Sequence, residues 1–248
     1  MHLLPVTAVT LDEGAEAIDL QQPPGDIVVL SFADSDLGAL AAAHKHRPDG
    51  PSLRLASLRR LRHPLSVDFY VEKTAAQARF VLVRCLGGRD YWRYGLERLS
   101  ETCRAAGVKL TVMPGDDRPD PRLAAYATIS PSLCDELEAY FQAGGIDNMR
   151  RLLARVAQEI GEADTIAEPP QAAPRAFAWT PEDGIIEPET LLARCSTQRP
   201  LAHLLVYRSS VLAGDTQAIE ALSFALRERG IDPLILAVSS LKLSLIHI

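Results

Sequence analysis

Short apolar runs that alternate with stretches of helical spacing predict an α/β fold. Ile27 to Phe32 and Phe80 to Leu86 are rich in β-branched and apolar residues, and each run ends at small or polar residues. After the second run, apolar residues recur every three or four positions, as at Leu96, Leu99 and Cys103. This alternation is typical of a parallel sheet covered by helices.

The same patterns predict the remaining elements of the chain. Further strands are expected at residues 3–9, 108–113, 201–210 and 233–238. Helices are expected at residues 52–61, 66–78, 131–145, 146–161 and 213–230, where apolar and polar residues mix at helical spacing.

A change of composition predicts where the chain divides. Residues 162–174 are acidic, rich in proline and alanine, and without periodicity, as linkers are. We expect an N-terminal α/β domain with a flavodoxin-like parallel sheet and a helical C-terminal part at 1–161. A linker and irregular segment at 162–200 and the truncated start of a second α/β domain at 201–242 follow. The last residues, 243–248, have no cap or polar tail and are expected to be a non-native tail.

Composition and charge exclude several classes of protein. The chain has 248 residues, of which 47% are hydrophobic and 23% charged, as in ordinary soluble proteins. A net charge of -6 argues against a nucleic-acid partner, although local basic patches remain possible. The N-terminus lacks a basic leader, and no apolar run approaches the roughly 20 residues of a membrane helix, so we expect a cytoplasmic protein without membrane contact. The four cysteines form no C-x-x-C pair, which disfavours a zinc site or a disulfide framework: Cys85, Cys103, Cys134 and Cys195.

The first candidate site follows the first buried strand. Asp34, Ser35 and Asp36 come directly after it, and ligands of open α/β sheets bind at the carboxyl ends of strands. Carboxylates repel phosphate, so a polar or cationic ligand is favoured there. The alternative is that Asp34 or Ser35 caps the following helix while Asp36 lies in its first turn.

A second candidate site follows the strand at 80–86. Gly87 and Gly88 permit close approach of a ligand, and Arg89 and Arg93 favour an anionic group such as a carboxylate. Tyr91 is placed to line an apolar ring system. The alternative is a tight glycine turn followed by aromatic residues of a core or an interface.

A third loop at the same predicted edge is rich in carboxylates. It begins with Gly115. Its three carboxylates offer oxygen ligands for a cation, unless its two arginines neutralise them: Asp116, Asp117 and Asp120, with Arg118 and Arg122. The histidines are scattered, and no catalytic or metal-binding signature accompanies them. Neither catalytic residues nor metal ligands are therefore assigned, and all three loops are treated as substrate-binding candidates.

Five segments of the sequence resemble those of a known protein family. The quoted segments are PSLRLASLRRLRHPLSVDFYVEK, LGGRDYWRYG, MPGDDRPDP and VYRSSVLAGDTQAIEALSFALRERGIDPLILAVSSLK, together with LDEGAEAIDLQQPPGDIVVLSFADSDL. In their order along the chain they resemble the N-terminal part of the large subunit of aerobic cobaltochelatase, over residues 1–242 with a weaker stretch at 162–194. The magnesium chelatase large subunit shares the unit at 207–230 more faintly.

The resemblance implies an enzyme subunit of cobalamin biosynthesis. The family inserts cobalt(II), its metal substrate, into hydrogenobyrinic acid a,c-diamide, and two smaller ATPase-type subunits use the ATP. The family's large subunit is several times longer than this chain, and its metal-inserting region lies farther downstream. The resemblance therefore implies a scaffold or docking role for this fragment, which is expected to be inactive alone and to bind no cofactor. The alternative is a non-catalytic flavodoxin-like module for ligand binding or protein interaction.

Overall fold

A computed structural model describes residues 16–45, 49–116, 118–162, 167–196 and 198–239. The strand predicted at 3–9, the tail predicted at 243–248 and the candidate Asp117 lie outside these ranges.

The first sheet has four parallel strands in the order β2-β1-β3-β4. Its strands are β1 (Ile27–Ser31), β2 (Leu53–Ser57), β3 (Phe80–Cys85) and β4 (Lys109–Pro114). Every residue of β1 and β3 is buried, because helices cover both faces of the sheet. This order is that of a flavodoxin-like sheet, and the predicted α/β class is confirmed.

Five long helices form the two outer layers of the first unit. They are α1 (Asp34–Lys45), α2 (Pro64–Lys73), α3 (Arg93–Ala106), α4 (Pro131–Ala143) and α5 (Ile146–Glu159). Alternate residues of β1 separate the two cores: Val28 and Leu30 pack with α2 and α3, whereas Ile27 and Val29 pack with α1, α4 and α5. The loops that leave the strands therefore emerge between two helical layers.

The helix predicted at residues 52–61 is wrong. Residues Leu53–Ser57 form β2, an edge strand that pairs in parallel with β1, and a short 3-10 turn follows at Leu58–Arg60. An edge strand is only half-buried, so its mixed apolar and polar residues also fit helical spacing. Hydrogen bonding to β1, which is distant in sequence, makes this segment a strand and not a helix.

The second unit has a four-stranded sheet in the order β6-β5-β8-β7. Its elements are β5 (Ala176–Thr180), β6 (Gly184–Ile186), α6 (Pro188–Arg194), β7 (Leu201–Tyr207), α7 (Arg208–Leu212), α8 (Gln217–Glu228) and β8 (Asp232–Val238). The segment expected to be irregular, 162–200, thus contributes two strands and a helix. Phe177 and Trp179 of β5 complete the core beside β8, which a single β-α-β unit does not close. The predicted domain boundaries themselves stay a prediction.

Residues of α7 hold the second unit against the first. The Arg208 guanidinium donates to the carbonyl oxygen of Gln142 at 3.0 Å and to those of Ala173 and Pro174. Leu212 lies against the glycine pair Gly144 and Gly145, where a β-carbon on either residue would touch it. The carboxyl end of β7 therefore faces the same side of the molecule as α4 and α5.

Candidate functional site

A buried ion pair accounts for the polar residues that follow β1. Asp36 accepts a hydrogen bond from Ser31 Oγ at 2.8 Å and from Arg84 Nη1 of β3 at 3.0 Å. The side chains of Asp36 and Arg84 are only 14% and 10% exposed. The Arg84 guanidinium also lies 4.5 Å from the centroid of the Phe141 ring and donates to the carbonyl of Pro114. Asp36 therefore forms an ion pair within the chain, and this pair links the start of α1 to β3.

The neighbouring residues of the same loop face different surroundings. Asp34 begins α1 and is exposed, with Arg59 at 3.9 Å as its ion-pair partner. Ser35 lines a cavity of about 90 Å³ together with Asp36, Arg208 and Ser209. Ser35 and Asp36 therefore border a small cavity between the two units, whose lining is mostly apolar.

The glycine pair after β3 adopts the conformation that its sequence predicts. Gly87 and Gly88 have φ values of 82° and 76°, in the left-handed region that other residues avoid. A β-carbon on Gly88 would lie 2.6 Å from Asp120 Oδ2, and the same oxygen accepts the Arg89 N–H at 2.9 Å. The Asp120 carboxylate of the chain itself therefore lies where the glycine pair was expected to hold an anionic ligand.

Arginine contacts explain the state of this internal carboxylate. Arg122 donates to Asp120 through Nε and Nη2, each at 2.8 Å, and to Asp90 at 2.7 Å. The hydrogen bonds from Arg122, followed by the one from the Arg89 amide, hold the pKa of Asp120 well below its usual range. Asp120 therefore stays ionised at neutral pH and closes the turn.

The other charged candidates of this loop also have internal partners. Arg89 Nε donates to Tyr126 Oη at 2.8 Å, and Arg93 Nε donates to Glu97 at 2.7 Å. Tyr91 instead projects outward and is 58% exposed, with its ring 5.2 Å from that of Phe32 in an edge-on arrangement. Tyr91 is the candidate of this group that remains accessible.

The third loop forms a tight turn beside β3. Gly115 donates its N–H to the carbonyl of Cys85 at 3.0 Å, and a β-carbon on Gly115 would lie 2.5 Å from Leu86 N. Asp116 Oδ1 accepts the backbone N–H of Arg118, as in an Asx turn. Among the described residues, no three His, Cys, Asp or Glu side chains are grouped so as to hold a metal ion.

The three candidate loops meet at one edge of the first sheet. Contacts between Phe32 and Tyr91, between Arg84 and Asp36, and between Gly115 and Cys85 join them. This convergence follows from parallel pairing, because all four strands end at the same edge.

Sequence reasoning missed the side chains that tie these loops together. Arg84 lies inside an apolar strand, so its pairing with Asp36 was not predicted. Asp120 was expected in the cation loop with Arg122 as the alternative partner, but its hydrogen bond to the Arg89 amide was not predicted. Sequence reasoning also missed the exposed arginines Arg59, Arg60 and Arg62 after β2. The run LRRLRH was a signal for them, since three arginines within six residues indicate a basic patch.

The buried thiol beneath this edge is not a nucleophile. Cys85 Sγ contacts the carbonyl oxygen of Gly88 at 3.1 Å. Burial, with a smaller effect of the Asp120 carboxylate, raises the pKa of Cys85 to about 12, so the thiol is protonated at neutral pH.

Among the helices that the structure describes, none combines the length and the apolar character needed to cross a bilayer.

Comparisons with known proteins agree on one family. A family model described as CobN/Magnesium Chelatase matches residues 138–246. The aerobic cobaltochelatase subunit CobN of a Sinorhizobium species is 43% identical over 98% of this chain, and the Pseudomonas aeruginosa subunit of the same name is 36% identical over 90%. This chain spans 20% and 18% of those two relatives.

A solved structure shares the fold. The catalytic subunit of cobaltochelatase from Mycobacterium tuberculosis superposes with a TM-score of 0.61 at 26% sequence identity. The match covers 89% of this chain and 17% of that protein.

Proposed function

This chain belongs to the CobN/magnesium chelatase family, and we propose that it is part of the large subunit of an ATP-dependent cobaltochelatase. The proposed reaction inserts cobalt(II), the metal substrate, into hydrogenobyrinic acid a,c-diamide in the cytoplasm. Two smaller ATPase-type subunits are the proposed partners that hydrolyse ATP. The observation that carries the proposal is the 43% identity to a cobaltochelatase subunit over 98% of the chain.

Within this proposal the chain acts as a scaffold that positions the rest of a larger subunit. It spans about a fifth of the length of the curated relatives, and we assign metal insertion to the remainder of the subunit. The charged candidates at Asp36, Arg89 and Asp116 are bonded to groups of this chain. For the buried pair of Asp36 and Arg84 these contacts support a structural role, because Asp36 would lose its partners if it turned towards a ligand.

We assign contact with the substrate to the cavity beside Ser35. Its volume of about 90 Å³ is lined by Asp36 and by Arg208 and Ser209 of α7. A cavity of this size can hold one small substituent of the macrocycle and not the ring itself. The chain therefore contributes one wall of the site and should bind the corrin weakly by itself.

A chimera tests the proposed function. This chain replaces the matched segment of the Sinorhizobium subunit, and the two ATPase-type subunits, ATP, cobalt(II) and hydrogenobyrinic acid a,c-diamide are added. The corrin absorption band is expected to shift as cobalt enters, whereas the 248-residue chain alone should leave the band unchanged. Magnesium(II) in place of cobalt(II) is the control metal.

The chimera also tests the Ser35 cavity. Ser35→Leu fills the cavity and should weaken corrin binding, whereas Asp34→Leu, at the exposed neighbouring residue, should leave it unchanged. A folded chimera without cobalt insertion would contradict the proposed function. Equal corrin binding by the two variants would remove the cavity from it.

A further inference from the structure

A short turn after β2 presents three arginines on a fixed backbone. In the run from Leu58 to Arg62, Leu58 and Leu61 are buried, being 0% and 1% exposed. Arg59, Arg60 and Arg62 alternate with them and face solvent. The leucines anchor the turn in the core, so the arginines are displayed at set positions and not on a loose segment.

An indole hydrogen bond fastens this turn to the loop after β3. Trp92 Nε1 donates to the carbonyl of Leu61 at 2.7 Å, and the Trp92 side chain is 5% exposed. Gly95 makes room for the ring, since a β-carbon there would lie 2.2 Å from it. On the other side of the turn, His63 Nδ1 accepts the Leu65 N–H and caps α2. The arginine turn and the aromatic loop thus form one surface.

Exposed apolar side chains concentrate around the same turn. Among the described residues of the first unit, five large hydrophobic side chains are exposed, and four belong to the loops and helix starts at this edge. The four are Leu65, Leu86, Tyr91 and Tyr94, with exposures of 43%, 39%, 58% and 41%. Arginine and tyrosine are enriched at protein interfaces and among the residues that carry most of the binding energy.

The arginines of the turn are also available to a partner. Within the described ranges, Arg60 and Arg62 have no carboxylate within ion-pair distance, and Arg59 has only Asp34 at 3.9 Å. This surface is basic on a chain whose net charge is -6. A partner that carries carboxylates gains from it by charge complementarity.

We propose that this surface, formed by Arg59, Arg60, Arg62, Leu65, Tyr91 and Tyr94, docks an acidic surface of another protein. All six residues are exposed, so the surface is open, unlike the concave sites that enclose small molecules. The exposed leucine and tyrosines beside the arginines favour a protein over a nucleic acid, because phosphate backbones are held chiefly by clustered Lys and Arg.

The docking surface and the proposed corrin cavity lie on opposite faces of the first sheet. Leu58, Leu61 and Trp92 belong to the core under α2 and α3. Ala39 and Phe141, which line the Ser35 cavity, belong to the core under α1, α4 and α5. Substitutions can therefore separate the two functions.

Charge reversal tests the docking surface on the 248-residue chain. The probes are the two smaller ATPase-type chelatase subunits, a choice that rests on the proposed function, and binding is measured by isothermal titration calorimetry at low and high salt. The double variant Arg60→Glu/Arg62→Glu should bind on the order of tenfold more weakly at low salt, with a shallower salt dependence. The control Arg150→Glu/Arg175→Glu changes net charge equally at two other exposed arginines and should bind as the parent does.

Each outcome decides the proposal. Equal binding by the double variant and the control, or no binding by the parent chain, overturns it. So does a loss of corrin affinity in the double variant, or parental binding of single-stranded RNA that the double variant loses. If the chimera inserts cobalt while charge reversal has no effect, the docking surface is wrong and the proposed function stands. If reversal-sensitive binding is seen without cobalt insertion, the docking surface stands and the proposed function fails.

Discussion

The buried pair of Asp36 and Arg84 offers a quantitative test of how the loops at this edge are joined. Asp36→Asn keeps the shape of the side chain and removes its charge, so the Arg84 guanidinium is left buried without a counter-ion. Breaking a buried pair by removing one partner costs about 3 to 5 kcal/mol, and the lower end applies because the two side chains are 14% and 10% exposed. We therefore expect a loss of about 3 kcal/mol in the free energy of unfolding.

Two comparisons isolate the stranded charge. Asp34→Asn changes the neighbouring exposed carboxylate, whose side chain is 77% exposed and whose partner Arg59 lies 3.9 Å away. That variant should lose less than about 0.5 kcal/mol, as exposed pairs do. Asp36→Asn combined with Arg84→Met replaces the stranded cation by an apolar side chain that still packs on Phe141. The double variant should recover part of the stability that Asp36→Asn loses.

Urea unfolding followed by far-UV circular dichroism measures the free energies, and calorimetry measures Tm. For a chain of this size, 3 kcal/mol corresponds to a decrease of about 6 to 12 °C in Tm. The reasoning is refuted if Asp36→Asn is no more destabilising than Asp34→Asn. It is also refuted if adding Arg84→Met to Asp36→Asn lowers stability further.

Three other predictions concern packing, titration and thiol reactivity. Gly95→Ala should cost about 3 kcal/mol because its β-carbon would lie 2.2 Å from the indole beneath it, whereas Gly38→Ala, in a helix with open space, should gain up to about 1 kcal/mol; equal Tm values would contradict this. The pKa of Asp120 is lowered, so its contribution is present at neutral pH and lost as pH falls; the stability gap to Asp120→Asn should stay constant down to about pH 4 and shrink only below it. Cys85, whose pKa is raised to about 12, should stay unlabelled by a thiol reagent at pH 8 in the native chain while half-exposed Cys134 reacts, as read by mass spectrometry; the reverse order would contradict the burial argument.

Local patterns were sufficient for several features of this protein. The apolar runs at β1 and β3 predicted a parallel sheet because strands buried on both faces need nearly continuous apolar residues. The glycine pair at Gly87 and Gly88 predicted a left-handed turn, because only glycine adopts positive φ without strain. The quoted motifs predicted the family, to which the comparisons also assign the chain.

Other features depended on partners that are distant in sequence. Asp36 meets Arg84 across 48 positions, and Asp120 reaches the Arg89 amide across 31. A residue's own neighbours do not reveal whether its charge is free or already paired, because strand register and loop length decide which side chains meet. Asp36, Arg89 and Arg93 are therefore hydrogen-bonded within the chain, and ligand binding at these loops stays a prediction.

Sequence by itself thus determined the fold class, the strands at the centre of the first sheet and the edge at which the loops meet. The tertiary structure decided which charges at that edge are satisfied, which strand is an edge strand, and how β5 and β6 complete the second sheet. It also decided that Arg59, Arg60 and Arg62 form one surface with Tyr91, through the hydrogen bond from Trp92 to Leu61. The physical reason is that apolar periodicity is a local property of the chain, whereas ion pairing and surface composition depend on distances that only folding sets.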